Sequence, residues 1–290
     1  MSSRPSPATT LDGGPAGRSA DSTVSAPTAR SGKVTQSRVL NSEWIKFRSL
    51  RSTYLTLLIA VAAMIGIALL ACWAAANRWN HLPMAERANF DAAGRSIDGY
   101  VFAQLAIGVL GVLVITGEYS TGMIRATLSA VPRRLPVLWA KMAVFGGVTL
   151  VLASVASLLS FFAGQSMLSS QHIQTTLSAS GVPRVVFGTA IYLTLVGLFG
   201  VAMGAVTRST PGGIASVFGM LFVLPLILHA LPSSWVDNIG PYLPSNAGQA
   251  LTVLHTEPHQ LAPWTGAGLF AGYVAVTVVI AAVLLKRRDA

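Results

Sequence analysis

Apolar residues run in six long blocks, at residues 54–76, 97–116, 135–164, 185–206, 213–231 and 264–285, with shorter polar stretches between them. Each block meets or nearly meets the roughly 20 helical residues needed to cross a hydrocarbon core about 30 Å thick. None shows the strict alternation of a half-buried strand, so the pattern predicts an all-α integral membrane protein with six transmembrane helices. The second block is the shortest, with room to run on into the polar residues that follow it. Lys141 lies near the start of the third, where its ammonium is expected to snorkel to the membrane surface. Pro225 falls inside the fifth and is expected to kink it.

A different pattern precedes the first block. Val39, Leu40, Trp44, Phe47 and Leu50 recur at helical spacing, while Lys46, Arg48 and Arg51 occupy the opposite face. This predicts an N-terminal amphipathic helix over residues 37–52 that lies in the membrane interface, basic side toward anionic headgroups. Residues 1–36 are rich in Ser, Pro, Ala, Thr and Gly and contain almost no large apolar residue. Such a segment lacks the surface to bury for order, so a disordered cytoplasmic tail is expected there. Residues 37–290 form the membrane domain.

Composition sharpens the class. Hydrophobic residues make up 52% of the chain and charged residues only 10%, against roughly 25% charged in ordinary soluble domains. The net charge of +10 would suit a nucleic-acid binder. No basic face interleaved with aromatics accompanies it, and no nucleic-acid partner is expected. The charge instead sorts by side. Of the 20 Lys and Arg, all but Arg78, Arg87, Arg95 and Arg184 fall on the N-terminal region, the stretch after the second block, Arg208 and the C-terminal end. The positive-inside rule then places both termini in the cytoplasm.

Chemistry-bearing motifs are sparse. The sequence contains no GxxxxGK[ST] phosphate loop, HExxH metal pair or GxSxG nucleophile elbow, and Cys72 is the single cysteine. No catalytic, cofactor-binding or metal-ligating residue is therefore expected on this chain, and it reads as a non-enzyme. No acidic residue falls at the centre of a predicted span, so coupling to an ion gradient is disfavoured. Small residues mark helix contacts: Gly200 with Gly204, and Gly268 with Gly272, are two GxxxG pairs expected to let helix backbones approach.

The most informative stretch is the polar island at residues 117–134, between the second and third blocks and on the predicted cytoplasmic side. Thr121, Arg125 and Ser129 share one helical face there, and Ile124, Leu128 and Val131 the other. Gly117 and Gly122 loosen the backbone at its start, and Pro132 stops it. A short amphipathic loop helix is the expectation. It is expected to dock a cytoplasmic protein, either an ATPase or a non-ATPase partner of a membrane-embedded regulatory or sensor-associated protein.

The island's Gly-Glu-Tyr-Ser-Thr-Gly-Met-Ile-Arg-Ala-Thr-Leu, beginning at Gly117 and followed by Pro132-Arg133-Arg134, resembles the permease subunits of type-2 ATP-binding-cassette exporters, particularly actinobacterial ones. The likeness extends to Ser42-Glu43-Trp44-Ile45-Lys46-Phe47-Arg48-Ser49-Leu50-Arg51-Ser52, to Leu243-Pro244-Ser245-Asn246-Ala247-Gly248-Gln249-Ala250, and to the Arg287-Arg288-Asp289-Ala290 end. It implies a six-helix permease domain that forms the substrate pathway in a bacterial plasma membrane. Two copies of a separate ATPase would carry ATP and magnesium, and a second permease copy would complete the pathway as a homo- or heterodimer. The island would form a coupling helix in which Glu118, Tyr119, Thr121, Gly122 and Arg125 make or support the ATPase contact. Trp44, Lys46, Phe47, Arg48 and Arg51 would belong to an interfacial helix that also touches the ATPase. Residues 232–263 would hold short external helices.

Overall fold

The computed structural model describes residues 36–49, 51–123, 134–256 and 259–287. Residues 1–35, nearly all of the predicted tail, and residues 124–133, with Arg125 and most of the predicted island helix, lie outside the described residues. So does the Arg51 side chain.

The described chain is helical, with no strand among the described residues. Helix α1 spans Gln36–Ser49, and α2 spans Arg51–Arg78. Two short helices follow, α3 at Met84–Ala88 and α4 at Ala92–Arg95. Three long helices come next: α5 at Tyr100–Ser120, α6 at Arg134–Leu168 and α7 at Val182–Thr207. Then come α8 at Thr210–Phe218, a π-helical turn at Gly219–Val223 and α9 at Leu224–His229. Short α10 (Ser233–Ile239) and α11 (Pro244–Gln249) lead to the last long helix, α12, at Pro263–Arg287. Six helical stretches are long and apolar enough to cross a membrane, at Thr53–His81, Tyr100–Ser120, Leu135–Gln171, Val182–Thr207, Thr210–His229 and Pro263–Arg287. They coincide with the six apolar blocks, each a few residues longer or shorter at its ends.

Helix α7 is the hub, packed on α5, α6, α8 and α12. It is the most enclosed of the six stretches. Its partnership with α5 is a contact of backbones. A Cβ placed on Gly200 would stand under 3.0 Å from the carbonyl oxygen of Gly108, and one on Gly111 equally close to that of Gly197. The Gly200–Gly204 pair therefore lets two helices touch, as its spacing predicts. The second pair does otherwise: a Cβ placed on Gly268 or Gly272 of α12 would meet nothing within 4 Å, so both face away from the bundle.

Pro225 acts as the sequence suggests, by a specific route. Proline lacks an N–H and its ring crowds the carbonyl four residues back, at Leu221. The π turn at Gly219–Val223 takes up that conflict, widening the helix over one turn rather than breaking it. At the opposite end of the bundle from α1, polar bonds tie the loops. Arg184 donates to the carbonyls of Val253 and Leu254, each at 3.0 Å. Asp91 accepts from Gly94 N–H at 2.8 Å and from Leu254 N–H at 3.1 Å.

Candidate functional site

Helix α1 is described over Gln36–Ser49 and α2 from Arg51 on; residue 50 lies outside the described residues. Val39, Glu43 and Phe47 form the buried side of α1 at i, i+4 and i+8. Val39 packs on Val137 and Ala140 of α6. The Phe47 ring meets Tyr54 of α2 and Phe145 of α6 edge-on, at 6.1 and 6.3 Å. Trp44 and Arg48 are exposed, and Glu43 is a charged residue in the middle of the buried face.

Four charges meet where α1 crosses α5 and α6. Lys141 on α6 lies 2.7 Å from Glu43 Oε2 and 2.9 Å from Glu118 Oε1. Lys46 lies 2.7 Å from Glu43 Oε1 and 3.2 Å from the same Glu118 oxygen. Glu43, Glu118 and Lys141 are buried, and Lys46 keeps about a quarter of its side chain exposed, 27%. Two ammonium groups and two carboxylates make the cluster neutral, the condition under which buried charge is tolerated. Burial by itself pushes the Glu43 carboxyl up. Attraction to Lys141, with hydrogen bonds from Lys141 and Lys46, overcomes it and holds Glu43 below its ordinary 4.5. For Lys46, burial pulls the ammonium down, but Glu43 and Glu118 outweigh it and hold it above 10.5. Three of the four carboxylate oxygens accept a lysine; Glu118 Oε2 is buried with no hydrogen-bond partner among the described residues.

One expectation changes here. Lys141 does not snorkel to the surface: it is 5% exposed and turned into the bundle. The second long hydrophobic helix, α5, runs on through Ser120, so Glu118 occupies its last turn. A carboxylate is poorly placed at a helix C-terminus, where the macrodipole is negative. Two lysines compensate it.

The island's described residues continue from that turn. Thr121 caps α5, its N–H reaching Gly117 O and its hydroxyl donating to the same oxygen at 2.8 Å. Gly122 follows at φ 71°, the left-handed conformation that ends helices at glycine. Its role is to stop α5. Ser120, Thr121, Gly122 and Met123 are exposed. Tyr119 is half-buried, with the Arg208 guanidinium 5.5 Å from its ring centre. The structure thus brings Glu118 and Lys46 together, leaves Tyr119, Thr121 and Gly122 along the following turn, and adds Glu43 and Lys141. A lysine inside an apolar block needs a carboxylate, and that need was the sequence signal for both.

No curated protein matches the chain significantly. The family model described as ABC-2 family transporter protein matches residues 39–224, more than half of the chain, including most of α1, the charge cluster and the glycine contact of α5 with α7. The chain belongs to this ABC-2 transporter family, as a multi-pass, membrane-spanning permease subunit.

Proposed function

We propose that this chain forms the substrate pathway of an ATP-driven exporter in a bacterial plasma membrane, with both termini in the cytoplasm. A separate ATP-binding-cassette ATPase, in two copies, binds ATP and magnesium, and a second permease copy pairs with this one. The exposed turn at Ser120–Met123 and the segment after it dock on the ATPase. Thr121 and Gly122 shape that contact from the end of α5, Tyr119 supports it, and Arg125 contributes from the island. Helix α1 lies along the membrane interface with Trp44 and Arg48 outward.

The observation that carries this reading is the charge cluster. Glu118 precedes the docking segment and Lys141 follows it, and both bond to α1. A force on the segment therefore reaches α5, α6 and α1 together, which suits conversion of ATPase closure into helix movement. Family membership supports an ATPase partner, and the Lys and Arg distribution supports the orientation.

The test uses exposed residues, because altering Glu118 would also disturb packing. Thr121→Lys with Met123→Glu is expected to abolish co-purification of an adjacently encoded ATPase and ATP-driven efflux from vesicles. Trp264→Ala, exposed at the start of α12, should leave both intact. Unchanged complex formation and efflux in the Thr121/Met123 variant would refute the assignment.

A further inference from the structure

At the end of the bundle opposite α1, a cavity of about 750 Å³ lies between α2, α3, α4 and the start of α5. Its floor is apolar. Ala71, Ala74 and Ala75 share one face of α2, and Leu82 and Phe90 close the sides. The volume is in the range of sites that take drug-sized molecules. Arg78, Glu86 and Asn89 line the cavity and are exposed, so it is open to solvent.

Two guanidiniums, Arg78 and Arg95, and three carboxylates, Glu86, Asp91 and Asp98, line the same space, so negative charge is in excess by one. Arg95 is paired with Asp98 at 2.8 Å. The two Asp91 oxygens accept the N–H groups of Gly94 and Leu254, which fills hydrogen bonds but leaves the charge. Burial pushes the Asp98 carboxyl up, Arg95 pulls it down, and repulsion from Asp91 adds to the rise. Asp98 therefore stands above its ordinary 3.8. The uncharged groups add acceptors. Asn89 Nδ2 donates to Ala85 O at 3.2 Å and the Thr252 hydroxyl to Gln249 O at 2.8 Å, and each side chain keeps an oxygen that can accept. The Tyr100 hydroxyl on the same wall can accept as well.

These charges select among ligands. An anion would enlarge the negative excess, and a zwitterion would leave it unchanged. An ammonium removes the excess and donates to the acceptors. We propose that this cavity binds an organic monocation, its ammonium beside Asp91 and Asp98 and its apolar body against Phe90 and the alanine face of α2. The site goes beyond the export assignment and does not rest on it, since binding is read without ATPase or nucleotide.

The experiment places the purified full-length chain in phosphatidylcholine nanodiscs and measures binding by equilibrium dialysis at neutral pH, with empty nanodiscs subtracted. The probes share one ring system: naphthylmethylamine, naphthylmethanol, naphthoic acid and the zwitterion naphthylalanine. The amine should bind about tenfold more tightly than the other three, as a charge-assisted contact implies. Asp98→Asn, which removes the excess, should bring amine and alcohol together. Arg78→Gln should act in the opposite sense and tighten amine binding about threefold, since a like charge leaves a solvated cavity. A merely structural role for Arg78 would not give that gain. Ala74→Phe, which fills the floor without touching a charge, should remove saturable amine binding. Equal binding of amine and alcohol to the unaltered chain would overturn the site. So would amine binding that survives Ala74→Phe, or an Arg78→Gln variant that binds the amine no more tightly than the parent.

Discussion

Replacing Lys141 by methionine removes a buried ammonium held at 2.7 and 2.9 Å by two carboxylates. Two effects oppose each other. Burying the ammonium costs several kcal/mol of lost hydration, and its removal recovers that. Against this, each close ion pair is worth about 4 kcal/mol at an effective dielectric near 20. Among the described residues Glu43 and Glu118 would then share Lys46, leaving one buried negative charge without a counter-ion. Removing one member of such a cluster costs about 3–5 kcal/mol, because the stranded charge decides the balance. Methionine is close to lysine in length and apolar, so cavity formation adds little. Taking roughly 2–4 °C per kcal/mol for a chain of this order, Tm should fall by roughly 10 °C. The partner test is the double variant Lys141→Met with Glu118→Gln. It restores neutrality, with Lys46 facing Glu43, and should recover more than half of the loss. Thermal unfolding of the detergent-purified chain reads both. A single variant within about 1 kcal/mol of the parent would refute the reasoning, as would a double variant no better than the single.

Three further outcomes follow from the geometry. Gly200→Ala should destabilise the chain by about 1–3 kcal/mol, since its methyl would press on the Gly108 carbonyl well inside contact distance, whereas Gly268→Ala, in open space, should be neutral or slightly stabilising; melting curves compare them. Tyr192→Phe removes the donor to buried Gln104 Oε1 and should cost about 1–3 kcal/mol by the same assay. An environment-sensitive fluorophore on Arg48→Cys, with Cys72→Ser, should report α1 docked across neutral pH. Glu43 titrates below 4.5, so its contribution is full above that value and lost as pH falls through the lower folded pKa. Lys46 titrates above 10.5, so its contribution is full below that value and lost as pH rises through the higher folded pKa. Release of α1 near pH 7 would contradict the cluster.

The helices were legible because length and apolarity decide them: the six blocks and the six observed stretches agree to within several residues. Gly200–Gly204 was legible as a contact, but the identical spacing at Gly268–Gly272 was not a contact within this chain. Spacing reports that two helices can approach, and only the packing says which faces meet. The charge cluster was half legible. Glu118 and Lys46 stood out from their motifs, yet their joint dependence on Glu43 and Lys141 required three helices to converge. Periodicity did not reveal the buried place of Glu43, because it groups residues by hydrophobicity and so puts a carboxylate outside. Where the helix boundary fell mattered as well: four more residues of α5 place Glu118 in the last turn of a helix.

The order in which the cluster's members leave the ribosome has a consequence for assembly. Glu43, Lys46 and Glu118 all precede Lys141 in the chain, so the carboxylates are already at the membrane when the lysine-bearing helix arrives. A lysine inside an inserting helix otherwise resists entry into lipid. A third long hydrophobic helix that meets its counter-charges on arrival should enter more readily than the same helix in a chain lacking Glu43 and Glu118.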